Sequence, residues 1–382
     1  MPGRDKGPDT GQGPAVTGEP IAAARPVIGE EEIAAAVRVL RSGRVVQGPE
    51  VAAFEEEFGE LVAGRHCVAV NSGTSALQLT LLALGIGPGD EVIVPSFSFA
   101  ASANAVRLVG AEPVFADIEP DSFCLDPDAA AAAIGPRTAA IMPVHLYGHP
   151  AAMDRIQPLA DARGLAVVED AAQAHAAALD GTPVGAFGVA GCFSFYPTKN
   201  MHALEGGMVS TADPALARTL RLLRNQGMEQ RYANEIVGAN MRMTDVSAAI
   251  GREQLKKLPG WTEQRRANAK ALDAGITAVT TPPVAPGASH VYHQYTVRIS
   301  GDRDAAQARL TEAGIGNAVY YPTPIHRLVP YTKSGPSASR DWDLPQTERA
   351  AAEALSLPVH PSLTPAELDR IIAAVNALED VL

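Results

Sequence analysis

From Cys67 to Ser210 the chain alternates short apolar runs with alanine-rich segments of helical length, and this alternation restricts the fold more than any other feature of the sequence. The runs Cys67–Val70, Glu91–Pro95, Pro113–Ala116, Ala139–Pro143, Leu165–Glu169, Gly191–Phe195 and Gly207–Ser210 read as strands. Between several of them lie helical stretches such as Thr74–Leu84, Ala100–Val109 and Ala151–Arg163. Strands buried on both faces and joined by helices predict an α/β fold, a mostly parallel seven-stranded sheet flanked by helices.

Around that block the pattern changes. Glu30–Leu40 reads as an amphipathic helix with Ile33, Val37 and Leu40 on one stripe and Gly43 as its stop. Pro49 opens a second helix, with Phe54 and Phe58 one turn apart. After Thr244 a helix reaches Leu258, meets Pro259 and continues from about Trp261 to Ala274. Strands near Tyr292–Ile299 and Ala318–Tyr321 and a last helix from Thr364 predict a smaller C-terminal α+β domain. The expected organisation is a polar tail over 1–24 that does not pack, a large α/β domain with N-terminal helices over 25–260, and a small domain over 261–382.

Charge and composition narrow the function. With 31 Lys+Arg against 43 Asp+Glu the net charge is −12, which repels a phosphate backbone and argues against nucleic-acid binding. No apolar stretch is long enough to span a membrane, and the N-terminus lacks an apolar secretion segment. Cys67, Cys124 and Cys192 form no C-x-x-C pair and read as buried thiols. The expectation is a cytoplasmic protein with no membrane partner. The Walker A, H-E-x-x-H and G-x-S-x-G patterns are all missing. Gly85–Asp90 is glycine-rich but follows a helix and precedes a strand, so it reads as a turn. His145 and His149 are separated by Gly148 and followed by Pro150, which suits loop histidines; no metal site is expected.

Three segments carry chemistry. Asn71-Ser72-Gly73-Thr74 sits where a strand gives way to a helix, a place where unpaired N–H groups attract anions. Alone, it reads rather as a helix cap with a turn glycine. Val167-Val168-Glu169-Asp170 ends an apolar strand in a carboxylate at the sheet edge where α/β proteins bind ligands, with Gln173 one helical turn on. Alone, Asp170 is equally an N-cap. In Ser194-Phe195-Tyr196-Pro197-Thr198-Lys199 a lysine follows a buried strand among apolar residues, and burial lowers a lysine pKa toward a free, nucleophilic amine. Together they supply a phosphate cradle, a partner for a pyridinium nitrogen and an amine for an aldehyde, the requirements of pyridoxal 5′-phosphate.

At this point the chain resembles the DegT/DnrJ/EryC1/StrS aminotransferases, fold-type I pyridoxal-phosphate enzymes, from about Arg25 to the C-terminus. The resemblance rests on Gly48–Val51 with Phe54-Glu55, Asn71–Leu77, Pro88–Pro95, Glu169–Gln173, Ser194–Lys199, Gly238–Met243, and Tyr320-Tyr321-Pro322 with His326. It implies that Lys199 takes the cofactor's aldehyde, Asp170 pairs the pyridine nitrogen and Gln173 contacts the ring hydroxyl. It further implies that Phe99 stacks on the ring and that Gly73, Thr74 and Ser194 hold the phosphate. Asn240 would reach the phosphate of a neighbouring subunit's cofactor, implying a homodimer with shared sites. After the lysine, His202-Ala203-Leu204 stands where many members have Thr-Thr-Gly, which makes His202 a candidate substrate residue beside Tyr321 and His326.

The activity so implied is ping-pong transamination. An amino acid, glutamate or glutamine by resemblance, would convert the cofactor to pyridoxamine phosphate, which then aminates a ketone on a nucleotide-linked sugar or cyclitol. Three rival activities share the scaffold. Dehydration is disfavoured, because relatives that dehydrate carry histidine at the position of Lys199. The second is aminohydroxybenzoate-synthase-like chemistry, and the third is a non-catalytic regulator, which has no need of an intact cofactor set.

Overall fold

The computed structural model describes residues 19–333, 335 and 340–379. Seven strands form one sheet: β1 His66–Val70, β2 Glu91–Pro95, β3 Glu112–Ala116, β4 Thr138–Ile141, β5 Ala166–Asp170, β6 Ala190–Ser194 and β7 Gly207–Thr211. Their order is β1-β7-β6-β5-β4-β2-β3. All run in one direction except β7, which is antiparallel to both β1 and β6. Each expected strand lies within one or two residues of its observed position. Because β1 and β6 are both antiparallel to β7, the carboxyl ends of β1, β5 and β6 open on the same edge.

Two helices precede the sheet, α1 (Glu30–Ser42) and α2 (Pro49–Leu61), and others cover both its faces. On one side α3 (Gly73–Ala83), α4 (Ala101–Leu108) and α5 (Pro214–Arg224) bury Leu77, Leu79, Val106 and Leu220 against Val68, Val94, Val168 and Val209. On the other, α2 drives Phe54 and Phe58 against Phe193 and Phe195, with ring centroids 5.0 to 5.5 Å apart. Full burial of such aromatic side chains contributes about 1.5–3 kcal/mol each.

Helix α1 forms as expected and ends at Gly43, whose φ of 71° is the left-handed cap glycine allows. Its expected buried stripe is reversed, however. Ile33 and Leu40 are 48% and 57% exposed, while Glu32, Ala35 and Val39 face inward. The small Ala35 lets the helix approach Ala249, and Glu32 is held by Lys257 and Gln254 at 2.8 Å, so a polar pin rather than the larger apolar residues sets the helix rotation.

The helix after Thr244 is a single element, α6 (Asp245–Gly275), capped by Thr244 accepting from the Ser247 N–H. Pro259 removes one N–H donor but does not interrupt it. The boundary expected at residue 260 therefore falls inside a helix whose first half packs on α1 and α2. Ala269 and Leu272 in its second half join the C-terminal cluster. That cluster surrounds an antiparallel pair, β8 (Tyr295–Arg298) with β9 (Ala354–Leu357), and includes Ile371 and Val375 of the last helix, Pro365–Asn376. Ala318–Tyr321 makes one bridge, Ala318 to Ser356, instead of a strand, because Pro322 and Pro324 turn the chain away. The stretch Ile325 to Ala351 returns to the large sheet's cores.

Residues 1–18 of the expected tail lie outside the described residues. Its last part does pack: Ile21 is buried, bridges Ile315 and joins the C-terminal cluster.

Candidate active site

The common edge of β1, β5 and β6 opens into a cavity of about 530 Å³. Its walls include Gly73, Thr74, Phe99, Asp170, Gln173, Ser194, Lys199 and Tyr321, so eight of the eleven residues singled out from the sequence meet there.

The first wall is the start of α3. Ser72 caps the helix by accepting from the Ser75 N–H at 3.1 Å, which leaves the N–H groups of Gly73 and Thr74 without partners among the described residues. Gly73 lies so close to Ser194 that a Cβ on it would sit 2.7 Å from the serine's own Cβ. Only glycine allows the helix start and the end of β6 to meet. Two free N–H groups, a hydroxyl and the positive end of a helix dipole form a cradle for a phosphate.

Asp170 ends β5 and is buried. Its Oδ2 accepts from Ser102 Oγ at 2.7 Å and its Oδ1 from the Ala172 N–H at 3.2 Å. Burial pushes its carboxyl up, against the opposing pull of those donors and of Lys199. A protonated ring nitrogen would restore its charge. Gln173 is fixed at both ends: Oε1 accepts from the Tyr147 N–H at 2.7 Å, and Nε2 donates to the Tyr321 hydroxyl at 3.0 Å. Phe99 tilts against Tyr321, with ring centroids 5.9 Å apart, and more than half of its surface stays open.

Lys199 closes the turn after β6, its N–H donating to the Tyr196 carbonyl at 2.9 Å. Its Nζ has no hydrogen bond among the described residues. Burial lowers its pKa to about 8, with Asp170 pulling the other way. The lysine is thus poised as an amine. An anion cradle, a buried carboxylate and a free amine on one cavity fit pyridoxal 5′-phosphate.

Three of the eleven residues lie elsewhere. His202 is buried but is not part of the cavity wall. Its backbone N–H meets Gln254 Oε1 at 3.4 Å, and its ring lies among Val27, Glu32 and the first half of α6. Its place after the lysine turn suggests a substrate residue; the turn folds it back toward the N-terminal helix instead. His326 is a pin: its Nδ1 meets Ser96 Oγ at 2.6 Å at the end of β2, and its Nε2 meets Glu348 at 2.9 Å. Asn240 is exposed, bridged to Asn225 on a loop running from the end of α5. Sequence reasoning misses His293 and Gln294, which also line the cavity and precede β8, because nothing local distinguishes them from core residues. His145 and His149 are satisfied loop residues, on Glu169 and on the Pro150 carbonyl respectively.

Comparison with known proteins gives the family. The sequence profile of the DegT/DnrJ/EryC1/StrS aminotransferase family matches residues 26–376. The chain belongs to the DegT/DnrJ/EryC1/StrS aminotransferases. It is 46% identical over 345 residues to the erythromycin biosynthesis sensory transduction protein EryC1 of Saccharopolyspora erythraea, covering 89% of this chain and 93% of that protein. It is 45% identical over 350 residues to the dTDP-3-amino-3,4,6-trideoxy-alpha-D-glucose transaminase of Streptomyces venezuelae, covering 91% of each. The crystal structure of S. venezuelae DesV in complex with a ketimine intermediate superposes with a TM-score of 0.88 at 44% identity, over 92% of this chain and 95% of that one. The cofactor of this aminotransferase is pyridoxal 5′-phosphate, and solved structures of the same fold include PLP and PMP forms.

Proposed function

We propose that this aminotransferase moves an amino group from an amino acid, glutamate or glutamine, to a ketone on a nucleotide-linked sugar, and does so as a cytoplasmic homodimer. The observation that carries the catalytic part is the meeting of an unpaired Lys199 amine, a buried Asp170 carboxylate and a free helix N-terminus on one cavity. When bound, the cofactor supplies an aldehyde that receives the amino group and a ring that takes up charge.

Lys199 would hold the cofactor through its aldehyde carbon at rest. Once released, its neutral amine would serve as the base that moves a proton between the donor's α-carbon and the cofactor's aldehyde carbon. Asp170 would keep the ring nitrogen protonated, and Ser102 and the Ala172 N–H keep Asp170 in place. Gly73, Thr74 and Ser194 would hold the phosphate, and Gln173, locked by Tyr147 and Tyr321, would meet the ring hydroxyl. EryC1 bears the name of a sensory protein. A regulator that kept only the fold has no use for a half-buried lysine left unpaired beside Asp170, and this favours the enzyme.

The nucleotide-linked substrate is supported by the transaminase relative acting on a dTDP-sugar. The homodimer is supported by the loop that carries Asn240. Its Tyr232 is 81% exposed and its Val237 95%, apolar surface that a second copy would cover. Among the described cavity residues Lys199 is the sole lysine or arginine, so a substrate diphosphate also needs positive charge from outside this wall. The test is to load the enzyme with pyridoxamine phosphate and offer keto-sugar nucleotides and keto-cyclitols in parallel. Return of the aldehyde spectrum with a keto-sugar nucleotide is the expected result. Return with cyclitols alone would transfer the assignment to them.

A further inference from the structure

Arg265, on α6, is a buried cation that nothing so far employs. It is 7% exposed, forms no ion pair among the described residues, and no acidic group offsets the burial that lowers its pKa to about 10. Its Nη1 donates to the carbonyls of Tyr292 and His293 at 3.0 and 3.4 Å, while its Nε has no partner. An unpaired buried guanidinium is costly unless something negative reaches it.

Beside it lies a second, smaller cavity of about 30 Å³, lined by Arg265, Thr198, His293, Gln294, Tyr320 and His360. A water needs about 10–15 Å³ on this measure, so the space takes about two oxygen-sized groups. Four of its walls, Thr198, His293, Gln294 and Tyr320, are also walls of the cofactor cavity, so the two spaces adjoin. Polar and apolar groups share its walls, Ala318, Leu357 and Val359 among the latter, and His360 Nδ1 is buried there without a partner. Its roof is the segment at Ala23 and Ala24, tied down where the Ala22 carbonyl meets His360 Nε2 at 3.2 Å. The surroundings are positive or neutral. Arg265 itself disfavours protonation of His293 and His360, and no carboxylate among the described residues lines the space.

We propose that Arg265 and this pocket form the carboxylate site for the amino donor, entered from the cofactor cavity past Thr198, His293, Gln294 and Tyr320. A planar guanidinium pairs a carboxylate through two parallel hydrogen bonds, and the pocket has room for that head group and not for a sugar ring. The same site cannot hold a diphosphate. The proposal rests on the transaminase reading above and supplies what that reading leaves out, the recognition of the donor.

The test uses the holoenzyme with glutamate and its two monoamides, reading the half-reaction that converts the cofactor to its amine form. Replacing the carboxylate that enters the pocket by an amide should weaken donor affinity about thirtyfold, the loss expected for a charged, buried hydrogen-bonded pair. Which amide fails tells whether the α- or the side-chain carboxylate enters. Arg265→Gln should weaken glutamate by a similar factor and erase the difference between acid and amide. Calorimetric binding of glutarate, which cannot react, should fall in parallel. Arg265→Lys, which keeps the charge, should recover part of both if Arg265→Gln proves unstable. A wild-type enzyme that takes all three donors alike overturns the proposal, and so does a folded Arg265→Gln that still discriminates them. In either case the transaminase reading survives. An enzyme whose cofactor no amino acid converts overturns that reading, and the donor site with it.

Discussion

Lys199 and Asp170 face the same cavity, and burial acts on them in opposite senses. It lowers the lysine to about 8 and raises the aspartate. Both shifts favour the neutral forms before the cofactor binds. The free amine attacks the aldehyde, so attachment of the cofactor to the apoprotein should slow about tenfold per pH unit well below 8 and level off above it. Stopped-flow absorbance between pH 6 and 9 checks this; a flat profile would refute a lysine poised near 8. Lys199→Ala should lose the visible absorbance of the attached cofactor and nearly all turnover. Asp170→Asn keeps the shape and removes the charge facing the ring nitrogen. A loss of roughly 3 kcal/mol of transition-state stabilisation, about a hundredfold in rate, is expected. A fall of only a few-fold would reduce Asp170 to a structural acceptor for Ser102 and the Ala172 N–H.

At the scale of elements, the strands and the residues that meet on the cavity are legible in the sequence because their signals are local. A buried parallel strand announces itself as an apolar run, and Ser72-Gly73 and Asp170 take their roles from standing where strands stop. Sequence reasoning goes astray where tertiary contacts override the local pattern. Helix α1 shows Ile33 and Leu40 outward because Glu32 is pinned to Lys257 and Gln254, partners more than 220 residues away. His202 and His326 stand in suggestive places but are turned toward Gln254 and Ser96, which no spacing reveals. The segment before Ala24 looks too polar to pack, yet the single apolar Ile21 bridges Ile315 within the C-terminal cluster. Ile21→Ala should therefore cost about 2–3 kcal/mol, as emptying a buried aliphatic site ordinarily does. Urea unfolding would show it as a lower midpoint. A change below about 0.5 kcal/mol, the size of an ordinary surface substitution, would mean that the segment contributes no packing.

Over the whole molecule, the buried histidines set the acid limit of stability. His175 and His290 are fully buried among rings, and burial pushes both down to about 3. Unfolded, each titrates near 6.5, so between about 6.5 and 3 the unfolded chain binds protons that the folded one refuses. Stability from this source is complete above about 6.5 and falls as pH drops, by up to about 1.4 kcal/mol per pH unit for each histidine. Urea midpoints should decline from pH 7 to 5, and His290→Phe should flatten the decline; equal midpoints at both pH values would contradict the assignment. The proposed subunit pairing also belongs to this scale. Asn240 is exposed on a loop with no contact to its own chain's Lys199, and its neighbours Tyr232 and Val237 present uncovered apolar surface. If it serves the partner's phosphate, each site takes Lys199 from one subunit and Asn240 from the other, as two-fold symmetry allows. Asn240→Asp should then weaken cofactor binding, since a carboxylate would face the phosphate at short range. Lys199→Ala should be inactive for a separate reason. In a mixed dimer of these two variants, one site collects both faults and the other collects neither. Co-expressed from separately tagged copies and purified through both tags, the mixed dimer should recover about half of wild-type activity, although each parent is nearly inactive. Activity no higher than the parents' would place Asn240 in its own chain's site or in none.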